Sequence, residues 1–81
     1  MRRPRRHRVH LPGVLAKIRT TRMRAVIARL GGKVQHALGL EEECDRHCRA
    51  AERAGHGEAA ADADDKGHRI GRAFFKQHSS S

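Results

Sequence analysis

The chain has 81 residues, eighteen Lys or Arg against nine Asp or Glu, and a formal charge of +9. That length allows one small domain. With twelve Ala, two Phe and no Trp or Tyr, little bulky side chain is left for a core, so a partner or self-association is expected to contribute to stability.

No apolar stretch approaches the length of a membrane span or a secretory hydrophobic region. Cys44 and Cys48, the chain's two cysteines, are too few for a secreted disulfide framework. They are expected as free thiols in a reducing compartment, the cytoplasm.

The charge is unevenly placed. Residues 1–40 hold eleven Lys or Arg and no acid, whereas residues 41–81 hold seven bases against nine acids. Residues 1–13 read as a disordered basic arm: Arg2, Arg3, Arg5, Arg6 and Arg8 repel one another, and Pro4 interrupts any helix. Leu11-Pro12-Gly13 is a turn signal, with Pro12 tolerable at a helix start.

Residues 14–54 form the helical region. Val14, Leu15 and Ile18 make a short apolar face, and Met23, Val26, Ile27 and Leu30 a second one at i, i+3, i+4 and i+7. The two faces are out of register. Either a break falls near Thr20, with Thr20 or Thr21 as cap, or one long helix carries a drifting face. Gly31 is placed for the left-handed residue that ends a helix, and Gly31-Gly32 and Gly39 divide the region in two.

In the second segment Glu41, Glu42 and Glu43 are assigned to the first turn, where the helix dipole favours acids. Arg53 falls in the last turn, with Gly55 just beyond. Glu42 with Arg46 and Asp45 with Arg49 are i, i+4 pairs. Leu40, Cys44, His47, Cys48 and Ala51 share one face.

Residues 55–69 read as a polar, Ala-rich spacer or frayed helix without an apolar stripe. Residues 70–81 hold a short helical turn at Ile70, Ala73 and Phe74, then a disordered tail. The expected fold is therefore mostly α, a small helical hairpin or short-helix protein between two disordered ends.

Several chemistries fail on residue type. Cys44, His47 and Cys48, with His36 or His56, number enough for tetrahedral zinc but lack the paired CxxC or HxxxH spacing of structural sites, so a small packing face and no metal is expected. Asp62, Asp64 and Gly67 open like a calcium loop, yet Lys66, Arg69 and Ala73 stand where that loop needs an oxygen, an apolar residue and a bidentate acid. Gly31-Gly32-Lys33 lacks the upstream glycine and following hydroxyl of a phosphate loop, and the only serines are the last three residues. No enzyme, cofactor or small-molecule substrate is expected.

Ala37-Leu38-Gly39-Leu40 resembles the turn of the helix-turn-helix DNA-binding family. Asp45 departs from that pattern, which there has an apolar residue packing the second helix. So do Glu41, Glu42 and Glu43, which phosphates would repel from a recognition helix.

What remains is a polyanion-binding surface. Arg2, Arg3, Arg5, Arg6 and Arg8 on the arm, with Lys17, Arg19, Arg22, Arg24, Arg29 and Lys33 behind them, are suited to neutralising phosphates without reading sequence. No aromatic residue is interleaved in residues 1–40, so base stacking is not indicated there.

The expectation is a small non-enzymatic protein that binds nucleic acid electrostatically. An anionic membrane surface stands behind it as a partner, and the Arg-rich, acid-free amphipathic start also suits a mitochondrial presequence and the matrix. A chain rich in Ala, Arg, Gly and His and without Asn, Tyr or Trp is also what a short GC-rich reading frame encodes with no dedicated function.

Overall fold

In the computed structural model, which describes residues 10–79, three helices follow one another: α1, Leu11–Leu30; α2, Val34–Arg53; and α3, Gly57–Ser79. The protein is a small all-helical bundle. Helix α1 lies at its centre, antiparallel to α2 and parallel to α3.

Helix α1 begins on His10, whose carbonyl accepts from the Val14 N–H at 3.0 Å, with Pro12 within the first two positions, where no intrahelical donor is needed. It then runs unbroken through Thr20. The drifting-face alternative holds, and Thr21 is a buried residue of the helix interior instead of a cap.

Both inter-helix turns are closed by the same device. The Lys33 N–H donates to the Ala28 carbonyl at 2.8 Å and the Gly32 N–H to Arg29 at 3.1 Å; at the second turn His56 donates to Ala51 at 2.8 Å and Gly55 to Glu52 at 2.9 Å. This paired pattern needs a left-handed residue just after the helix. Gly32, φ 82°, and Gly55, φ 88°, provide it. The left-handed position of the first turn is thus Gly32, one residue later than expected, while Gly31 keeps φ −83°.

Helix α2 starts seven residues before Glu41, so Gly39 divides nothing and no turn stands at Ala37–Leu40, as a helix-turn-helix reading would require. An exposed mid-helix glycine costs only about 1 kcal/mol, and the flanking residues carry the helix through it. Glu41, Glu42 and Glu43 consequently sit in mid-helix, away from the dipole's positive end. The expected Glu42–Arg46 and Asp45–Arg49 pairs are not made; the i, i+4 pair in α2 is His47 with Glu43, at 3.6 Å. The face of Leu40, Cys44, His47, Cys48 and Ala51 does turn inward, with Cys44 and Ala51 fully buried.

The largest departure is α3. From Gly57 to Ser79, the stretch expected as a spacer followed by a terminal turn is one helix of 23 residues. Its buried stripe is Ala60, Ala63, Gly67 and Gly71, helically spaced but almost without side chain. The backbone of α3 can therefore press on α1: a Cβ at Gly67 would stand 2.5 Å from the Arg19 carbonyl oxygen, and one at Gly71 2.9 Å from that of Met23. Ile70 and Phe74, expected to close a last turn inward, are instead 45% exposed.

The core follows the same logic. On α1 the buried residues are Ile18, Thr21, Ala25 and Ala28. Met23, Val26 and Ile27 flank them, because a helix gripped on two sides buries its small residues deepest. The described residues end before Ser80; of the arm expected at 1–13, residues 1–9 lie outside them, whereas Leu11, Pro12 and Gly13 open helix α1 instead of forming a disordered turn.

Candidate polyanion-binding surface

Of the eleven cations expected to make this surface, Arg2, Arg3, Arg5, Arg6 and Arg8 lie outside the described residues. The structure sorts the other six into two groups.

Arg22 and Arg29 are each held by carboxylates of the protein itself. Arg22, its side chain only 14% exposed, donates through Nε to Asp64 Oδ1 of α3 and lies 3.6 Å from Asp45 of α2. It ties all three helices together. Burial by itself would lower its pKa, but the hydrogen bond to Asp64 and the surrounding negative charge outweigh that and hold the guanidinium charged. Arg29 makes a two-pronged contact with Glu41, Nε to Oε2 at 2.7 Å and Nη2 to Oε1 at 2.9 Å. That hydrogen bond holds the Glu41 carboxyl below the ordinary carboxylate range.

Lys17, Arg24 and Lys33 are exposed and make no ion pair among the described residues, and Arg19 is half-buried beside Gly67. Lys17 and Arg24 are seven positions apart on α1, two helical turns, which puts them on one side of that helix. They border two grooves along the α1–α2 seam. One, of about 460 Å³, has Arg24, Lys33 and His36 over a floor of Ile27, Ala28, Gly31, Leu40 and Phe75. The other, of about 350 Å³, is bordered by Lys17, Thr20, Thr21 and Arg24 from α1 and by Glu43 and His47 from α2.

His36, weighed from sequence only as a zinc ligand, stands three positions after Lys33 and on the same side of α2. Phe75 carries no such local signal, since only the parallel return of α3 brings it into the groove.

Cys44, His47 and Cys48 do share a face, but they form no open cluster. Cys44 Sγ lies 3.7 Å from the Ile18 carbonyl oxygen and 3.8 Å from Asp64 Oδ1. Burial pushes its thiol up to about 12 and raises that of Cys48 as well. Among the described residues no three His, Cys, Asp or Glu side chains converge to hold a metal ion.

Gly67, which the calcium-loop pattern would place at a sharp turn, is in mid-helix against α1. No described helix is long and apolar enough to cross a membrane. Compared with known protein families, with curated proteins and with solved structures, the chain matches none of them.

Proposed function

We propose that the protein is a non-enzymatic binder of nucleic acid, acting through charge and without strong sequence preference, in a reducing compartment that keeps Cys44 and Cys48 as thiols. The observation that carries this reading is the line of Lys17, Arg24 and Lys33 along the α1–α2 seam, exposed and without an ion-pair partner among the described residues, whereas Arg22 and Arg29 are held by Asp64 and Glu41. Cations free of internal carboxylates can exchange their counterions for phosphates, which is the source of affinity in such binding. The arm at 1–9, with five arginines and no acid, precedes α1 and extends the same charge.

The test is the salt dependence of binding to unrelated duplexes. The parent should give a steep linear log–log plot. Replacing Lys17, Arg24 and Lys33 together by Gln should reduce its slope by about three, one for each phosphate that is no longer neutralised. Arg29→Gln should leave the slope almost unchanged, because that guanidinium is already occupied by Glu41. An unaltered slope in the triple variant, or a parent that does not bind, would remove the reading.

A further inference from the structure

Among the described residues, Leu30, Val34, Leu38, Ile70 and Phe74 are the large apolar side chains left exposed, between 42% and 50%, and all five lie toward one end of the bundle. Leu30 and Val34 flank the α1–α2 turn, and Leu38 lies one helical turn further along α2. Helix α3 runs parallel to α1, with Gly71 against Met23 and Val26 and Phe75 beside Gly31, so Ile70 and Phe74 stand level with the second half of α1. All three helices contribute.

The charge of this end is predominantly positive. Residues 23–40 contain Arg24, Arg29 and Lys33 and no acid, residues 67–79 contain Arg69, Arg72 and Lys76 and no acid, and all nine acids lie between positions 41 and 65. Glu41 is engaged by Arg29 and Asp65 by Arg69. Arg24, Lys33, Arg72 and Lys76 make no ion pair among the described residues.

We propose that this end docks on the surface of an anionic lipid bilayer. Exposed apolar groups gathered in one place on a small protein mark a surface that is covered in use. A bilayer interface takes up such groups at the level of the acyl boundary, while guanidinium and ammonium groups remain among the anionic headgroups. The open groove between Phe75 and Leu40, with Arg24, Lys33 and His36 at its rim, offers the same pairing of apolar floor and positive edge.

A second copy of the chain is the competing cover. Two such ends carry like charge and repel, whereas the bilayer brings the opposite charge. Nucleic acid would neutralise the cations but leave Leu30, Val34, Leu38 and Ile70 in water. The docking end is separate from Lys17, which lies in the first half of α1.

The experiment is cosedimentation of the full chain with phosphatidylcholine vesicles, with and without phosphatidylserine. Binding is expected to the anionic vesicles and to be much weaker to the neutral ones. Ile70→Asp and Phe74→Asp should each lower the partition coefficient about tenfold, as the loss of one buried large apolar side chain predicts. Lys76→Gln should lower it about fivefold. Lys17→Gln should leave it unchanged. Helicity by circular dichroism should match the parent in every variant, since all four side chains are exposed.

The proposal is overturned if the parent ignores anionic vesicles, or if Ile70→Asp and Phe74→Asp bind them like the parent. A concentration-dependent dimer abolished by those variants, without vesicle binding, would assign the end to a second copy. Loss of single-strand binding in Phe74→Asp, with vesicle binding retained, would assign the ring to base stacking.

Discussion

Along the side facing α3, helix α1 meets two glycines and two alanines, with a single carboxylate, Asp64, held by Arg22; along the side facing α2 it meets two carboxylates and a thiol. The first seam works by removing side chains. Gly67 and Gly71 bring backbone onto backbone at Arg19 and Met23, so its energy is close contact over a length of helix. The second works by polar tethers: Arg29 to Glu41, Arg22 to Asp45, and Cys44 beneath the Ile18 carbonyl. A steric seam is sensitive to a single methyl group and indifferent to pH and salt. A polar seam is the reverse. One helix thus offers both kinds of packing for comparison, with α1 common to each.

The largest effect should come from adding that methyl group. Gly67→Ala places Cβ against the Arg19 carbonyl and the Arg22 side chain, and overpacking of this sort costs about 2–3 kcal/mol, more than the gain of about 1 kcal/mol in helix propensity. Gly39→Ala, where an added Cβ meets nothing within 4 Å, should raise stability by about 1 kcal/mol. Thermal unfolding of the two variants would then move in opposite directions. A Gly67→Ala protein as stable as its parent would mean that α3 does not press on α1.

Next in size is Arg22→Met, which strands Asp64 and Asp45 without their cation while keeping most of the buried stem. Losing one partner of a partly buried pair should cost about 1–2 kcal/mol in urea unfolding. Should Asp64→Asn added to it restore nothing, the pair is not what holds the three helices together at that point.

The pH response of the polar seam comes third. Burial lifts the Cys44 thiol from 9.0 to about 12, so the folded protein keeps a proton that the unfolded chain gives up. Its contribution to stability is complete below the unfolded value and is lost as pH rises through the window toward the folded one. Cys48, also raised, adds a slope of the same sign. Unfolding midpoints followed upward from neutral pH should fall, and Cys44→Ala should flatten the decline. A parent profile with no decline would show that the thiol is not shielded.

The smallest effect belongs to Arg29→Gln. The contact is well formed but at the surface, so the midpoint should shift slightly at low salt and not at all in molar sodium chloride. If the shift persists in high salt, packing of the arginine stem, not charge, is what Gln removes.

These seams also explain what could be foreseen. Helices α1 and α2 were legible because their cues are local: Pro12 at a start, Gly55 after an end, and Leu40, Cys44, Cys48 and Ala51 at helical spacing. Helix α3 was not. Its contact face is Ala60, Ala63, Gly67 and Gly71, and a search for bulky apolar spacing sees nothing there, since the value of these residues depends on a second backbone arriving opposite them. The positions of Ile70 and Phe74 fail for the same reason, because once the glycines face inward the larger side chains must turn out.

Among the cations, position in the chain identified the exposed Lys17, Arg24 and Lys33. It could not separate them from Arg22 and Arg29, whose partners Asp64 and Glu41 are remote in sequence.

The parallel return of α3 bears on the order in which the chain folds. The turn at Gly32 lets α1 and α2 meet early, through contacts that close only a short loop. The seam of Gly67 with Arg19 must wait until the intervening helix has formed and doubled back, and loop-closure entropy makes such pairings late. Substitutions at Gly67 should accordingly leave the folding rate nearly intact and speed unfolding, the signature of a contact absent from the transition state. Release of α3 is then the natural first opening of the folded protein. It would expose the α1 surface at Arg19, Arg22, Met23 and Val26 while the α1–α2 hairpin, with its exposed lysines and arginine, stays assembled.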